Sequence, residues 1–433
     1  MQSMTSWGRL AAAEHVVVPL ADRSQVATLL RASALPGLAY GNGRSYGDVC
    51  ANSGGTLWAM RGLDRFIAFD KAVGTIECEA GVLLKEIIDL VLPHGWFPPV
   101  VPGTQFITVG GAIANDVHGK SHHRQGSFGN HVQSLTLVRT DGTAIVCGPQ
   151  ERPEWFAATV GGMGLTGVIA TARLRLRPVE GPWLDAETLV FDSLDRFFEL
   201  SSESAAEWEH TVSWIDCVGG RGGNARGVFF RGNHAADRTP VAPRKPKTFP
   251  FTPPLSLING LSLRLFNQLY FNVNRWRADR GRQHYLPFFF PLDNLLEWNR
   301  VYGPRGFYQY QCVVPPVTQK DAVRELLCRI SASGTGSFLA VLKTFGDRPS
   351  PGLLSFPMPG TTLALDFPNL GPSTLKLFDE LNAVVVEAGG RFYSAKDACV
   401  PRALFERGYP RLAEFRRFRD PGLASDMARR LLD

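Results

Sequence analysis

Pro102-Gly103-Thr104, followed by Thr108-Val109-Gly110-Gly111-Ala112-Ile113-Ala114-Asn115-Asp116-Val117-His118-Gly119, is the stretch on which the reading of this 433-residue chain turns. Its small residues let backbone approach a ligand closely. A helix starting within it turns N–H groups and a positive dipole end toward a pyrophosphate. Close helix packing would use the same glycines without a ligand. Upstream, Gly41-Asn42-Gly43-Arg44-Ser45-Tyr46-Gly47-Asp48 is a second loop whose successive N–H groups can form an anion-binding concavity. Two such loops in one region favour a dinucleotide. A third run, Gly162-Met163-Gly164-Leu165-Thr166-Gly167, spells GxGxxG. Residues 153–160 before it read as helix and 168–177 after it as an alternating strand. A Rossmann site needs the reverse order, so an NAD-type fingerprint is excluded. Neither a GxxxxGK[ST] loop nor a GxSxG elbow is present.

Outward from these loops, composition sets the class. The chain has 46 Lys+Arg against 40 Asp+Glu (net +6), is 44% hydrophobic and 20% charged, and so is globular. Its length asks for two cores. No basic arm, zinc-finger or basic-zipper spacing suggests nucleic acid. Seven scattered cysteines without CxxC fit a reducing compartment. No run of 18 apolar residues exists, and Glu14 and His15 interrupt the apolar stretch around residues 10–20. Neither a spanning helix nor a secretory signal is expected, and the expected location is cytoplasmic or at the inner face of the cell membrane. His118, His122, His123 and His131 lack a completing set of ligands, so no metal is expected.

The pattern predicts a helix over 24–33 with Ser24 as N-cap, strands at 56–60, 66–70 and 75–79, a helix over 82–92, and a hairpin across Asp141-Gly142. Pro178 to Pro182 marks a boundary. Beyond it, strands are expected at 184–191, 211–215, 227–231, 307–314, 337–345 and 361–367, with helices from 192, over 318–331 and over 373–388. Residues 240–291 interleave Arg244, Lys245, Lys247, Arg264, Arg275, Arg277, Arg280 and Arg282 with many aromatics. That segment reads either as a lid on the second domain or as a membrane-facing surface.

Together these blocks resemble the vanillyl-alcohol-oxidase family of FAD enzymes, most of all its decaprenylphosphoryl-ribose 2'-oxidase branch, the flavin half of an epimerase. Aldonolactone oxidases are also similar. The resemblance spans nearly the whole chain. It includes Tyr308-Gln309-Tyr310-Gln311, Lys343-Thr344-Phe345-Gly346, Gly389 through Asp397, and Ser425 through Leu431. It implies an α+β, two-domain FAD-binding fold of PCMH type: an FAD domain from 1–178 and 390–433, and an α+β substrate domain over 179–389. Around FAD it places Gly41, Asn42, Gly43, Arg44, Ser45, Tyr46 and Gly47, then Pro102, Gly103, Thr104, Thr108, Gly110, Gly111, Ala114, Asp116, His118 and Gly119. Gly167, Val168 and Ile169 follow, with Tyr393 and Lys396 near the ring. Many relatives attach FAD through a histidine before the serine of the first loop. Here that position is Arg44, and no cysteine lies between Pro102 and His131, so FAD is expected to be non-covalent.

The implied reaction is oxidation of the 2-hydroxyl of a polyprenylphosphoryl-ribose to a ketone, within arabinose supply to the cell envelope. Lys396 would stabilise reduced flavin or bond the reacting oxygen. His118 would contact flavin or relay a proton. The general base is open between Lys396, His118 and water. Lys120 and Lys343 are candidates for phosphate, Gln309 and Gln311 for sugar hydroxyls, and Trp214 and Phe345 for an apolar wall. Implied partners are a quinone or other acceptor and an NAD(P)H-dependent short-chain reductase, with peripheral membrane contact. A mycobacterial relative carries an active-site cysteine where this chain has Ala364. Hydride transfer does not use that thiol, so only thiol-directed inhibition is put in doubt. Two other readings are a soluble aldonolactone or sugar oxidase of the same fold, and a non-catalytic, flavin-stabilised lipid-carrier or assembly protein.

Overall fold

Short β-rich runs punctuated by glycine build two small sheets from the N-terminal part. This computed structural model describes residues 2–10, 12–219, 223–240 and 245–433; Arg244, counted above in the basic segment, lies outside them. Gln2–Thr5, Ala12–Pro19, Thr56–Ala59 and Gly37–Tyr40 form a mixed sheet in that order. Phe66–Asp70, Thr75–Glu79, Val168–Arg175, Val132–Val138 and Ala144–Cys147 form an antiparallel one. In Val168–Arg175 the period of two is visible: Ala172 and Leu174 are buried while Arg173 and Arg175 face out. The predicted hairpin turns at Gly142, whose φ of 87° suits glycine, and Asp141 Oδ1 accepts from Thr143 N at 2.7 Å.

After Pro182 the chain builds an eight-stranded antiparallel sheet. Its order is Arg280–His284, Trp183–Phe191, Gly227–His234, His210–Ile215, Val341–Phe345, Gly360–Pro368, Phe307–Val314 and Arg391–Phe392. Helices Leu194–Ser204, Gln319–Ala332 and Pro372–Glu387 pack on one face, around Phe197, Leu326, Leu381, Leu342 and Leu365. Strands and helices are segregated, which makes the chain α+β.

The C-terminal residues return to the first core, where Phe405, Phe415, Met427 and Leu431 join Trp58, Ile76, Val109 and Leu137. Two details differ from a simple partition. Leu353 and Leu354 also pack into that first core, and Arg391–Phe392 still belongs to the eight-stranded sheet. An ionic clamp closes the return: Arg430 binds Asp48 at 2.8 and 2.9 Å and Asp397 at 2.9 Å.

The structure departs from local expectation in three places. Asp22, not Ser24, caps the first helical turn, its Oδ1 accepting from Ser24 N at 2.9 Å. The strand expected over 337–345 is regular only at Val341–Phe345, because Ser337 Oγ takes the N–H groups of Leu339 and Asp366, both at 3.0 Å. Within 240–291 an unpredicted 17-residue helix, Gly260–Trp276, starts at the Asn259 cap. It is anchored on the sheet by Asn267, which donates to Asp216 Oδ1 at 2.8 Å, and by Phe271, beneath the Arg226 guanidinium. Among the described residues no helix is long and apolar enough to cross a membrane.

The clamp gives a stability prediction. Arg430→Ala leaves two mostly buried carboxylates facing each other and should lower unfolding free energy by about 3 kcal/mol, read by denaturant titration. An unchanged midpoint would remove the clamp from the account.

Candidate active site

Side chains two apart on the face of the eight-stranded sheet away from those three helices point the same way. The register aligns Trp214, Val341, Ala364 and Gln311 in one row across four strands. Next to it Gln309 pairs with Asp366, and Lys343 stands opposite Thr362. Tyr310, on the other face, is buried among the helices. The lined-up residues form one side of a cavity of about 610 Å³, within the roughly 300–1,000 Å³ of small-molecule sites. The glycine loops form the other side.

The cavity brings most of the sequence candidates together. Gly41, Asn42, Gly43, Arg44, Ser45, Tyr46, Pro102, Gly103, Thr104, Thr108, Gly110, Gly111, Ala114, His118, Gly119, Gly167, Ile169, Tyr393 and Lys396 line it. So do Lys120, Trp214, Gln309, Gln311 and Lys343. Four candidates do not. Gly47 sits behind the first loop, where a Cβ would collide with the Asp397 carbonyl. Val168 is wholly buried in the first core. Asp116 turns inward, accepting from Gly129 N at 2.8 Å and Ser355 Oγ at 2.5 Å, so it ties loops together. Phe345 lies behind the wall, its ring 4.9 Å from that of His118.

The loops differ in what they offer an anion. Among the described residues, the backbone N–H groups of Gly41, Asn42, Gly43, Arg44 and Ser45 donate to no protein acceptor. Five consecutive free donors at a cavity wall form an anion nest and fit a pyrophosphate. The second loop is otherwise. Its helix, Val109–Ala114, has six residues, and its first three N–H groups go to Val82 O, Ala80 O and Thr108 Oγ1. In place of the dipole contact expected there, the loop leaves open space: a Cβ on Gly103 would meet nothing within 4 Å.

The polar centre joins residues remote in sequence. Tyr46 N donates to Ala395 O at 3.1 Å, which fixes the first loop against the 393–396 turn. That contact sets Lys396 Nζ 3.6 Å from the Tyr46 ring centroid. Tyr393 OH donates to Asn115 O at 2.9 Å. Gln311 Nε2 and His118 Nε2 are 3.0 Å apart, and His118 Nδ1 has no protein partner. Burial first, then the Lys343 charge, hold His118 well below its ordinary value, so it is neutral. Burial pulls the Lys120 ammonium down to about 7, and Lys343 to about 8. Lys120 Nζ donates to the Phe288 carbonyl.

Asp366 was missed as a site residue. It is fully buried, accepts from Gln309 Nε2 at 2.5 Å, and leaves Oδ2 unpaired. Burial pushes its carboxyl up and pulls the Lys396 ammonium down, and each charge opposes the shift of the other. Arg44 stacks over Trp7, 4.1 Å from its centroid, with Nε unpaired. Cys50 reaches the cavity, but burial pushes its thiol up to about 12. The histidines weighed for metal do not bring their ring nitrogens together as a ligand set among the described residues. Glu209, His210 and His234 come together instead, but Arg177 occupies both Glu209 carboxylate oxygens at 2.7 and 2.9 Å.

If Gly103 is open because a cofactor passes there, Gly103→Val should lower bound flavin about tenfold, or roughly 1.4 kcal/mol. The flavin-free protein should unfold at the wild-type midpoint. Full flavin content in the purified variant, read by absorbance, would contradict the placement.

Comparison with known proteins agrees with this geometry. A family model described as FAD binding domain matches residues 14–148. The chain is 36% identical to the decaprenylphosphoryl-beta-D-ribose oxidase of Mycolicibacterium smegmatis, over 99% of its own length and 97% of that protein's. An uncharacterized Streptomyces coelicolor protein, from the mprA 5' region, is 34% identical over 81% of this chain and all of its own. L-gulonolactone oxidase of Mus musculus is 27% identical over 39% of each chain. Full-length likeness, a matching FAD domain and a free-donor nest beside a cationic cavity lead to one conclusion: this chain belongs to the family of FAD-dependent oxidoreductases that includes the M. smegmatis decaprenylphosphoryl-ribose oxidase.

Proposed function

We propose that this chain oxidises the 2-hydroxyl of a polyprenylphosphoryl-ribose to the 2-keto sugar, the first half of an epimerisation to the arabinose form. One observation carries the reading: Lys120, Lys343 and Lys396 converge on a cavity also walled by Trp214, Phe230, Tyr270 and Leu295. A phosphodiester with a long apolar tail matches both features. The name of the M. smegmatis relative supports the same substrate class.

The fold reading behind it is the vanillyl-alcohol-oxidase, PCMH-type arrangement, with residues 1–178 and 390–433 as FAD domain and 179–389 as substrate domain. The shared core of the N-terminal part and the tail supports it. FAD bound in this cavity would supply the two-electron acceptor for the hydride from ribose C2. The chain's own groups do the rest. The free N–H groups of residues 41–45 hold the pyrophosphate. Lys120 and Lys343 receive the substrate phosphate, and Gln309 and Gln311 orient the sugar hydroxyls. Lys396 bonds the oxygen that loses its proton, and Asp366 Oδ2, the unpaired acceptor of the same wall, takes that proton. His118, held neutral, orients through Gln311. FAD is non-covalent: Arg44 stands where many relatives carry histidine, and the protonated Cys50 thiol is a poor nucleophile. A quinone or other acceptor takes the electrons, and an NAD(P)H-dependent short-chain reductase consumes the keto sugar.

The decisive test is anaerobic addition of polyprenylphosphoryl-ribose to the holoenzyme. The flavin should bleach, and acid precipitation should leave it in the supernatant. Bleaching by L-gulonolactone but not by the lipid sugar would move the assignment to a soluble sugar oxidase. Lys396→Ala should keep its flavin yet lose reduction by about 100-fold or more; undiminished reduction would remove Lys396 from the chemistry.

The pH dependence has a worked sign. Lysines lowered to about 7 and 8 are cationic below those values and neutral above them, whereas a phosphodiester stays anionic. Substrate half-saturation should therefore rise about tenfold or more from pH 7 to pH 9, as both amines lose their protons. A flat profile would exclude these amines as the phosphate site.

A further inference from the structure

We propose that the exposed face of the helix Gly260–Trp276, with its basic flanks, docks this protein onto an anionic lipid bilayer, beside the opening of the cavity. The helix carries two apolar seams on different sides. Leu263 and Phe271, with Asn267 between them, form the buried seam. Leu261, Leu265 and Leu269, spaced by four, and Trp276 beyond them form the second, and they are 70%, 64%, 64% and 84% exposed. From Leu261 to Trp276 the helix rises about 22 Å, enough for an in-plane interfacial helix. Among the described residues, eight of the 18 exposed large hydrophobic side chains fall between Phe251 and Trp276. Such a concentration marks an interaction surface rather than scattered surface residues.

Charge selects the occupant. Residues 240–291 hold eight Lys or Arg and a single acid, Asp279, a net +7 against +6 for the whole chain. The remaining chain, with 38 basic and 39 acidic residues, is close to neutral. Arg264, Arg275 and Arg277 are exposed and, among the described residues, form no ion pair. A leucine stripe with an indole at one end and arginines alongside is the composition of a surface-seated helix. A second copy of this chain fits less well, because a two-fold interface would set the same +7 segment against itself.

The cavity reaches this surface. Phe266, exposed, stacks on Tyr270 with centroids 5.8 Å apart, and Tyr270 lines the cavity. Leu295 is both exposed and part of the lining. Docking thus sets the cavity mouth at the level of the lipid, where a polyprenyl tail lies. That last point rests on the lipid-linked substrate reading; the docking itself does not.

The test is co-sedimentation of the full chain with FAD bound, using vesicles of phosphatidylcholine with and without 30% phosphatidylglycerol, at low and high salt. Binding should require the anionic lipid, weaken with salt, and fall about tenfold or more in Leu265→Glu/Leu269→Glu, neither residue lining the cavity. The variant's flavin spectrum should match wild type. No binding to anionic vesicles at low salt, equal binding by the variant, or a wild-type dimer that the variant dissolves would overturn the proposal. Bleaching of the detergent-solubilised holoenzyme by polyprenylphosphoryl-ribose separates the two readings. Vesicle binding without bleaching keeps the docking and sinks the substrate; bleaching without vesicle binding does the reverse.

Discussion

The contact on which the rest of this molecule depends joins the first glycine loop to a turn some 350 residues later. Tyr46 N bonds Ala395 O, Gly47 leaves room for the Asp397 backbone, and Arg430 holds Asp48 and Asp397 together. Each piece needs the others. Without glycine at 47 the turn could not come so close, and without Arg430 the two carboxylates would repel. What the interlock achieves is placement: an ammonium on the loop's own tyrosine ring, at the boundary between an anion nest and a sheet face.

The sheet supplies the other half by periodicity. One face of Phe307–Val314 and Gly360–Pro368 packs on helices, and the other shows Gln309, Gln311, Ala364 and Asp366 to the cavity. The same strands therefore stabilise the second core and present the polar groups, so the site inherits the rigidity of the core. Three amines in one buried space repel each other and lose hydration, which favours an anionic guest over an empty state. The long apolar wall asks that the guest be amphipathic.

How much of this could be read from the sequence follows from where each signal resides. The glycine loops were legible because the backbone at Gly43 and Gly47 tolerates little else, and local sequence records that demand. Gln309 and Gln311 were legible because alternation is local. Asp366 was not, since its role comes from register with Gln309 across a strand pair far apart in sequence. Asp116 misled for the opposite reason: a polar residue inside a cofactor-like motif serves Gly129 and Ser355 instead. The helix Gly260–Trp276 escaped because apolar residues on two sides blur a single helical stripe, and its exposed seam has no partner within the chain.

The central claim is that a ribose carbon–hydrogen bond at C2 is broken in this cavity. Stopped-flow flavin reduction by polyprenylphosphoryl-ribose carrying deuterium at C2 tests it most directly. The account predicts bleaching markedly slower than with the unlabelled sugar, and a 2-keto product without the label. Equal rates together with deuterium retained at C2 of the product would contradict it.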